Sequence, residues 1–464
     1  MISGRSGGGP DDDVEDLSGL TFTTGRSGRM GRLEKFLGAG GQGAVYDATL
    51  NGTHFAIKWY HPSYISIDLG LRPRLSRAIA QGAPNDAFLW PIDLVEVAGQ
   101  PSFGYLMRLR DPDYVGMKCL ICRPPQRVDP SLTVRAIICW NIAQSFLELH
   151  AKGFCYQDVN FGNIFFHPVT GDILICDNDN VDVDGSPASV YGTRKFMAPE
   201  IVRREAMPST KTDLFSMTVL FFYVLHSWHP LDGKREAAIA CMDSAAETSL
   251  YGTNPVFLFD PVNTSNGPLA GMHEPIEARW KSLPSGLRDL FVRALTIGLS
   301  RPGDRVQEAE WCTAFTTLAT SVYACPQCGW ENTIEQTPLN VPPGTRACIG
   351  CGSRICEPAV MTIGRRRVSL AQGMHIPAHV LRPGTQPDIS ALAASVEVHP
   401  QRPGVLGLRN RSGETWRTRL RDSSEVAVPP GSTVRIVDGA SIDFGGARGL
   451  IATPASEDPG KGTP

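Results

Sequence analysis

The residues with the clearest chemical potential lie in Tyr156-Gln157-Asp158-Val159-Asn160-Phe161-Gly162-Asn163. Fourteen positions after Asn163 comes Asp177, which closes the apolar run Ile173-Leu174-Ile175-Cys176. Moving a phosphoryl group needs a carboxylate that orients the attacking hydroxyl and oxygen ligands that hold Mg2+ against the phosphates. Asp158 fits the first task, and Asn163 and Asp177 fit the second. Singly, each is equally a loop residue capping a turn. A second group stands upstream. Leu37 to Val45 reads G-x-G-x-x-G-x-V, with glycines at Gly38, Gly40 and Gly43. Glycine lets backbone amides come close to a phosphate, although an ordinary hairpin turn uses glycine too. A dinucleotide site would follow these glycines with a helix and an acid about 20 residues on. Here a second strand follows instead, Phe55-Ala56-Ile57-Lys58-Trp59, with Lys58 15 positions after Gly43. A lysine within an apolar strand can reach over a nucleotide's phosphates, or simply snorkel from a strand edge.

The third chemical group is sulfur. Four of the 12 cysteines form two pairs, Cys325-Pro326-Gln327-Cys328-Gly329 and Cys348-Ile349-Gly350-Cys351-Gly352, separated by 19 residues. Two such knuckles can set four thiolates tetrahedrally around Zn2+, with redox dithiols as the rival use. Four protein ligands fill the metal's coordination, so such a zinc is structural. The segment resembles a zinc ribbon. Between Cys325 and Glu357 the charges are Glu331, Glu335 and Glu357 against Arg346 and Arg354, so no basic surplus favours nucleic acid. Protein contact or domain bracing is the expected use. Cys356 is a spare, and Cys119, Cys122, Cys139, Cys155, Cys176, Cys241 and Cys312 read as buried small hydrophobes.

These groups need elements to place them. Val45 to Ala48 and Phe55 to Trp59 read as strands joined by the hairpin signal Asn51-Gly52. Val134 to His150 carries Ile138, Ile142, Phe146 and Leu149 near helical spacing. Asp213 to His226 is apolar almost all round and reads as a buried helix. Strands first and helices after imply an α+β fold with two lobes. Residues 1–28 are rich in Gly, Ser and Asp and read as a disordered leader, with ordered sequence from near Leu33. The expected domains are then 29–320, the cysteine segment 323–357, a β-rich module 358–452 and a disordered tail 453–464. Short runs such as Val396-Glu397-Val398, Val405 to Leu408, Val434 to Val437 and Ser441 to Phe444 give that module a β-sandwich or barrel pattern. The longest apolar run, Met217 to Leu225, is far below the roughly 18 residues of a spanning helix. A net charge of -3 supplies no field for nucleic acid or acidic membrane. The cytoplasm, with reduced thiols, is the expected compartment.

With the motifs in order, residues from about 30 to 320 resemble the eukaryotic-type Ser/Thr protein kinases, in the form found in bacteria. The catalytic loop of that family matches at Asp158 and Asn163, and its Mg2+-binding triplet matches at Asp177 of Asp177-Asn178-Asp179. Gly192-Thr193-Arg194-Lys195-Phe196-Met197-Ala198-Pro199-Glu200 matches the end of the activation segment. Asp213 falls on the family's buried helix aspartate, and Arg305 on the arginine that pairs with the segment's glutamate, here Glu200. The resemblance implies a two-lobed kinase fold that uses ATP and Mg2+. The glycines at 38, 40 and 43, with Val45, Ala56 and Lys58, would bind ATP. Asn163 and Asp177 would bind Mg2+, and Asp158 would position a protein Ser or Thr hydroxyl. Thr193, Ser189 and Ser186 are candidate phosphosites.

The departures from the pattern are equally specific. Tyr156 and Gln157 replace the usual His and Arg, Asn160 replaces a lysine, and Asn178-Asp179 replace Phe-Gly. No glutamate lies between Lys58 and residue 95, so the family's Lys–Glu pair lacks its second member. Asp68 is the nearest acid in the segment expected to form that helix. These losses keep an ATP-binding pseudokinase scaffold as the alternative. The β-rich module, through Ile436 to Gly445 and Leu408 to Ser412, resembles forkhead-associated domains. It lacks their Arg-Ser arrangement around His375 to His379, so the plainer expectation is a β-sandwich that contacts a protein partner.

Overall fold

The computed structural model describes residues 16–185, 191–334 and 343–454. Ser186, Ser189, Glu335, residues 1–15 of the expected leader and residues 455–464 of the expected tail lie outside the described residues. The chain divides into two compact units, each taken by itself. The first comprises 1–119, 145–167 and 172–220, and the second comprises 120–144, 168–171 and 221–464. The chain combines helices and sheets, in keeping with the α+β class expected.

The first unit opens with six antiparallel strands closed into a barrel in the order β1-β2-β3-β4-β6-β5. They are β1 (Thr21–Thr24), β2 (Met30–Ala39), β3 (Gly43–Leu50), β4 (Thr53–Tyr60), β5 (Asp93–Val97) and β6 (Gly104–Arg108). The hairpin between β3 and β4 turns at Asn51 (φ 52°) and Gly52 (φ 79°), two left-handed positions that match the strands' twist. One expectation is corrected here. Thr21–Thr24 lies in the segment read as a disordered leader, yet it is a strand that bonds both β2 and β5. Four residues are too few for periodicity to show, and the strand is fixed by packing. Phe22 is fully buried against the barrel core, and Gly31 leaves room for it, because a methyl there would lie 2.3 Å from the Phe22 ring.

The alternation of β4 sets the site. Phe55, Ile57 and Trp59 face the barrel core, while Ala56 and Tyr60 join a second cluster with Leu71 and Leu75 of helix α2 (Leu71–Gln81). Lys58, between Ala56 and Tyr60 on the period of two, therefore points to that second side. A short helix α1 (Pro62–Ile67) precedes α2.

In the second unit, two hairpins carry the cysteine knuckles: Val322–Ala324 with Glu331–Thr333, and Thr345–Ala347 with Arg354–Cys356. Beyond them lie a six-stranded and a four-stranded sheet, spanning Val360 to Ala452. Met361, Val368, Trp416, Ile442 and Ile451 of the first sheet share one core with Ile376, Ala394, Val396 and Leu408 of the second. Two sheets with a common core make a sandwich, as the alternating pattern implied. Helix α3 (Leu132–Ala151) and the helix Thr210–His226 correspond to the two helical segments anticipated. Among the described residues, no helix is long and apolar enough to cross a membrane.

Candidate active site

All the phosphoryl-transfer candidates fall in the first unit. The glycine loop closes with Gly40 and Gly43 exchanging backbone hydrogen bonds at 2.9 and 3.3 Å. The three motif glycines are not equivalent. A methyl on Gly38 or Gly40 would meet no atom of the described residues within 4 Å, whereas one on Gly43 would lie 2.1 Å from the Trp59 carbonyl oxygen. Gly43 is thus demanded by the close approach of β3 and β4, while Gly38 and Gly40 leave open space beside the loop. Val45 and Ala56 stand in one apolar cluster with Met107, Phe165 and Leu174.

The Lys58 side chain is buried and its ammonium is saturated. It donates to Asp179 Oδ2 at 2.9 Å, Asp177 Oδ1 at 3.2 Å and Gln42 Oε1 at 2.6 Å. Burial alone would depress the lysine's pKa, but Asp179 and then Asp177 overcome it and hold Lys58 above its ordinary value. Asp179 stays ionised below the usual carboxylate range. Burial opposes this, and Lys58 with the Tyr60 hydroxyl, 2.6 Å away, outweighs it. Asp177, only partly buried, is pushed up by desolvation and by the charges of Asp179 and Asp158, against the pull of Lys58. One ammonium facing these carboxylates leaves an excess of negative charge, a donor set suited to a divalent cation.

Asp68 does not take part in this pair. Its carboxylate binds Arg74 of α2 at 2.6 Å, and Arg74 Nε donates 2.8 Å to the Asp179 carbonyl oxygen. The acid expected from the helix segment therefore comes from the segment after Asp177. Sequence reasoning missed Asp179, Tyr60, Gln42 and Arg74. The signal for Asp179 was present, an acid where the family pattern has glycine, but its direction is a matter of chain path.

The loop that carries Asp158 is fixed from below by Asp213, which is 1% exposed. Its carboxylate accepts from the Tyr156 amide at 2.5 Å and the Gln157 amide at 3.0 Å, with His150 Nε2 3.2 Å away. Gln157 takes a left-handed φ of 73°, and Tyr156 donates its hydroxyl to the Cys176 carbonyl. These contacts tie the loop of Asp158 to the strand that delivers Asp177. Asp158 Oδ1 accepts from the Thr193 hydroxyl at 2.9 Å, and Asn163 Nδ2 donates to the Asp158 carbonyl at 2.9 Å. Asn160 makes a local turn, accepting from the Gly162 amide at 2.7 Å, so it supplies no cation in place of the family's lysine. Asn178 is fully buried and donates to the carbonyls of Leu89 and Ile175 at 2.9 and 3.0 Å. Glu200 is buried in the short helix Pro199–Val202, and Arg305, also buried, donates Nε to the Gly298 carbonyl at 3.0 Å. The two fall in different units.

In the second unit, the Sγ atoms of Cys325, Cys328, Cys348 and Cys351 all lie within 4.8 Å of one another. Cys325 to Cys351 is 3.9 Å and Cys328 to Cys348 is 3.8 Å. Four sulfurs at tetrahedral Zn–S distances stand about 3.8 Å apart, so the thiols fit the metal. Each knuckle turns at its glycine, Gly329 (φ 75°) and Gly352 (φ 72°), whose amides donate to the carbonyls of Cys325 and Cys348. Burial would raise the Cys348 thiol, but the Cys351 and Gly350 amides and the Asn332 side chain bring it down to about 6. Of the cysteines read as buried hydrophobes, Cys139, Cys155 and Cys312 are buried, Cys119, Cys122 and Cys176 are partly so, and Cys241 is exposed. Cys241 follows a four-residue helix, Lys234–Ala237, that buries no residue.

Residues 127–267 match the family described as Protein kinase domain. The chain is 25% identical over 208 residues to CBL-interacting protein kinase 4 of Oryza sativa subsp. japonica, covering 43% of this chain and 45% of that protein. It is 31% identical over 86 residues to Serine/threonine-protein kinase sck2 of Schizosaccharomyces pombe, 18% of this chain and 13% of the relative. It is also 34% identical over 97 residues to Ribosomal protein S6 kinase alpha-6 of Mus musculus, 20% of this chain and 12% of the relative. The chain therefore spans less than half the length of these curated relatives.

Proposed function

We propose that the protein is an ATP- and Mg2+-dependent Ser/Thr protein kinase. The kinase-domain match and the kinase relatives support the reading. The observation that carries it is the retention of Lys58, Asp158, Asn163 and Asp177 in one unit, with Asp158 and Asn163 hydrogen-bonded and Lys58 ion-paired to Asp177.

The geometry supports the following roles. The open face of the Gly38–Gly40 loop and Lys58 take the phosphates. Asn163 and Asp177 would hold Mg2+, which neutralises phosphate charge when bound. Asp158 accepts the hydrogen bond of the protein hydroxyl and aligns it for in-line attack. The Thr193 hydroxyl on Oδ1 fixes the rotamer of that carboxylate, which gives Thr193 a task other than accepting phosphate. Control by a phosphorylated loop lacks its usual partner, because Gln157 stands where an arginine would bind the phosphate.

The four thiols hold a structural zinc in this reading, and the cytoplasm keeps them reduced. The ribbon braces its own unit. Trp330 Nε1 donates to Ser282 at 2.8 Å, and Glu331 accepts from the Leu132 amide at 2.7 Å. The β-sandwich extends the bracing, with His379 Nε2 3.2 Å from the Thr316 hydroxyl, and offers its remaining surface to a protein partner.

Mass spectrometry after incubation with Mg·ATP and a generic protein substrate tests the activity. Wild type should incorporate phosphate on Ser or Thr, and Asp158→Asn should lower the rate at least about 100-fold. Equal incorporation by both would sink the reading. Thermal stabilisation by ATP without transfer would favour the pseudokinase scaffold.

A further inference from the structure

The two carboxylates on Lys58 live in different surroundings. The Asp177 side chain is 41% exposed, and that of Asp179 is 1% exposed. Asp179 Oδ2 receives both the Lys58 ammonium and the Tyr60 hydroxyl. All three ammonium hydrogens are in use, on Asp179, Asp177 and Gln42. Two of those acceptors have other duties in the kinase reading. Asp177 must turn to the metal, and Gln42 belongs to the loop that must admit phosphates. Asp179 has no such duty and is buried. Its backbone is held separately, by Arg74 Nε on the carbonyl at 2.8 Å, while the Arg74 guanidinium is pinned by Asp68.

We infer that Asp179 is the positioning residue for Lys58, the group that keeps the ammonium aimed while Asp177 and Gln42 are exchanged for metal and nucleotide. The inference rests on the kinase reading, which gives Lys58 phosphates to hold. It also explains how the site works with no helix glutamate. The anchor is carried two residues beyond Asp177, so metal ligand and lysine anchor belong to one segment. Helix α2 contributes a cation, Arg74, which grips that segment by its backbone. The position of α2 is thereby communicated to Lys58 through the Asp179 carbonyl.

The test follows the titration of Lys58 as well as turnover. Nucleotide-free full-length protein is treated with an amine acetylating reagent across pH 7 to 10, and Lys58 acetylation is read by peptide mass spectrometry. In Asp179→Asn, the free-amine fraction of Lys58 should rise at least about tenfold at a given pH, one pKa unit or more. The same variant should lose about 100-fold in kcat/KM for ATP, with KM raised. In Asp177→Asn, Lys58 acetylation should stay within about threefold of wild type, because the buried anchor remains. This second variant, changed at a partly exposed side chain, decides the matter if Asp179→Asn does not fold. Acetylation in Asp179→Asn at the wild-type rate, or a tenfold rise in Asp177→Asn, overturns the inference. If wild type shows no turnover, the kinase reading fails while the acetylation series still decides the anchor.

Discussion

The burial of one titratable group leads us to expect an acid-sensitive stability. His226 is 3% exposed and packs its ring on Phe222 at 4.1 Å between centroids, with Trp280 and Phe291 beyond. Burial, with smaller contributions from Arg279 and Arg135, pushes its pKa down to about 3, against one raising hydrogen bond to the Phe222 carbonyl. The neutral ring is therefore the folded form. An unfolded histidine titrates near 6.5, so between about pH 6.5 and 3 the unfolded chain binds a proton that the folded chain refuses. The stability is complete above pH 6.5 and is lost as pH falls, by roughly 4–5 kcal/mol at full extent. Denaturant titrations at stepped pH should show this loss, and His226→Phe should flatten the acid limb. An unchanged limb would place the sensitivity elsewhere. Lys58 is the opposite case, a buried cation that remains charged because Asp179 and Asp177 stand beside it.

At the scale of elements, the glycine loop separates a glycine demanded by packing from glycines beside open space. Gly43 faces the β4 backbone with no room for a methyl, and Gly40 faces open space. Gly43→Ala should cost about 2–3 kcal/mol, because β3 must move off Trp59. Gly40→Ala should leave thermal stability within about 0.5 kcal/mol and raise KM for ATP. Paired melting curves and ATP kinetics distinguish the two, and equal destabilisation by both would contradict the assignment. The strand Thr21–Thr24 shows the same economy. Few residues, one buried aromatic and one facing glycine suffice to close the barrel.

At the scale of the whole molecule, the metal-ligand geometry bears on the stability of the second unit. Tyr323, Ile334, Ile355 and Val360 cluster with Cys325 and Cys348, so the thiol site shares a core with the first strand of the β-sandwich. In the zinc reading, removing the metal would free the four thiols, of which Cys325 and Cys348 are buried, and loosen that shared core. Purified protein should hold one equivalent of zinc, and chelation should lower Tm by roughly 10 °C. Less than half an equivalent, or an unchanged Tm, would count against the zinc site. The first unit's Asp158, Asn163 and Asp177 are distant in sequence from these cysteines, so any stabilisation by ATP would be a separate readout of that unit.

Local pattern alone identified much of this protein. The hairpin at Asn51-Gly52, the helices around Ile138 and Asp213, the alternating strands of the sandwich and both cysteine knuckles are set by interactions among near neighbours in sequence. Lys58, Asp158, Asn163 and Asp177 stand out as candidates for the same reason, as short motifs at fixed spacing. The partner of Lys58 was not. Asp179 lies 121 positions away, and Asp68, nearer in sequence, is drawn off by Arg74. Periodicity names the face on which Lys58 stands, but the tertiary path of the chain chooses the carboxylate it meets. Ion pairing follows distance in space and the cost of burial, and neither is written in the order of residues.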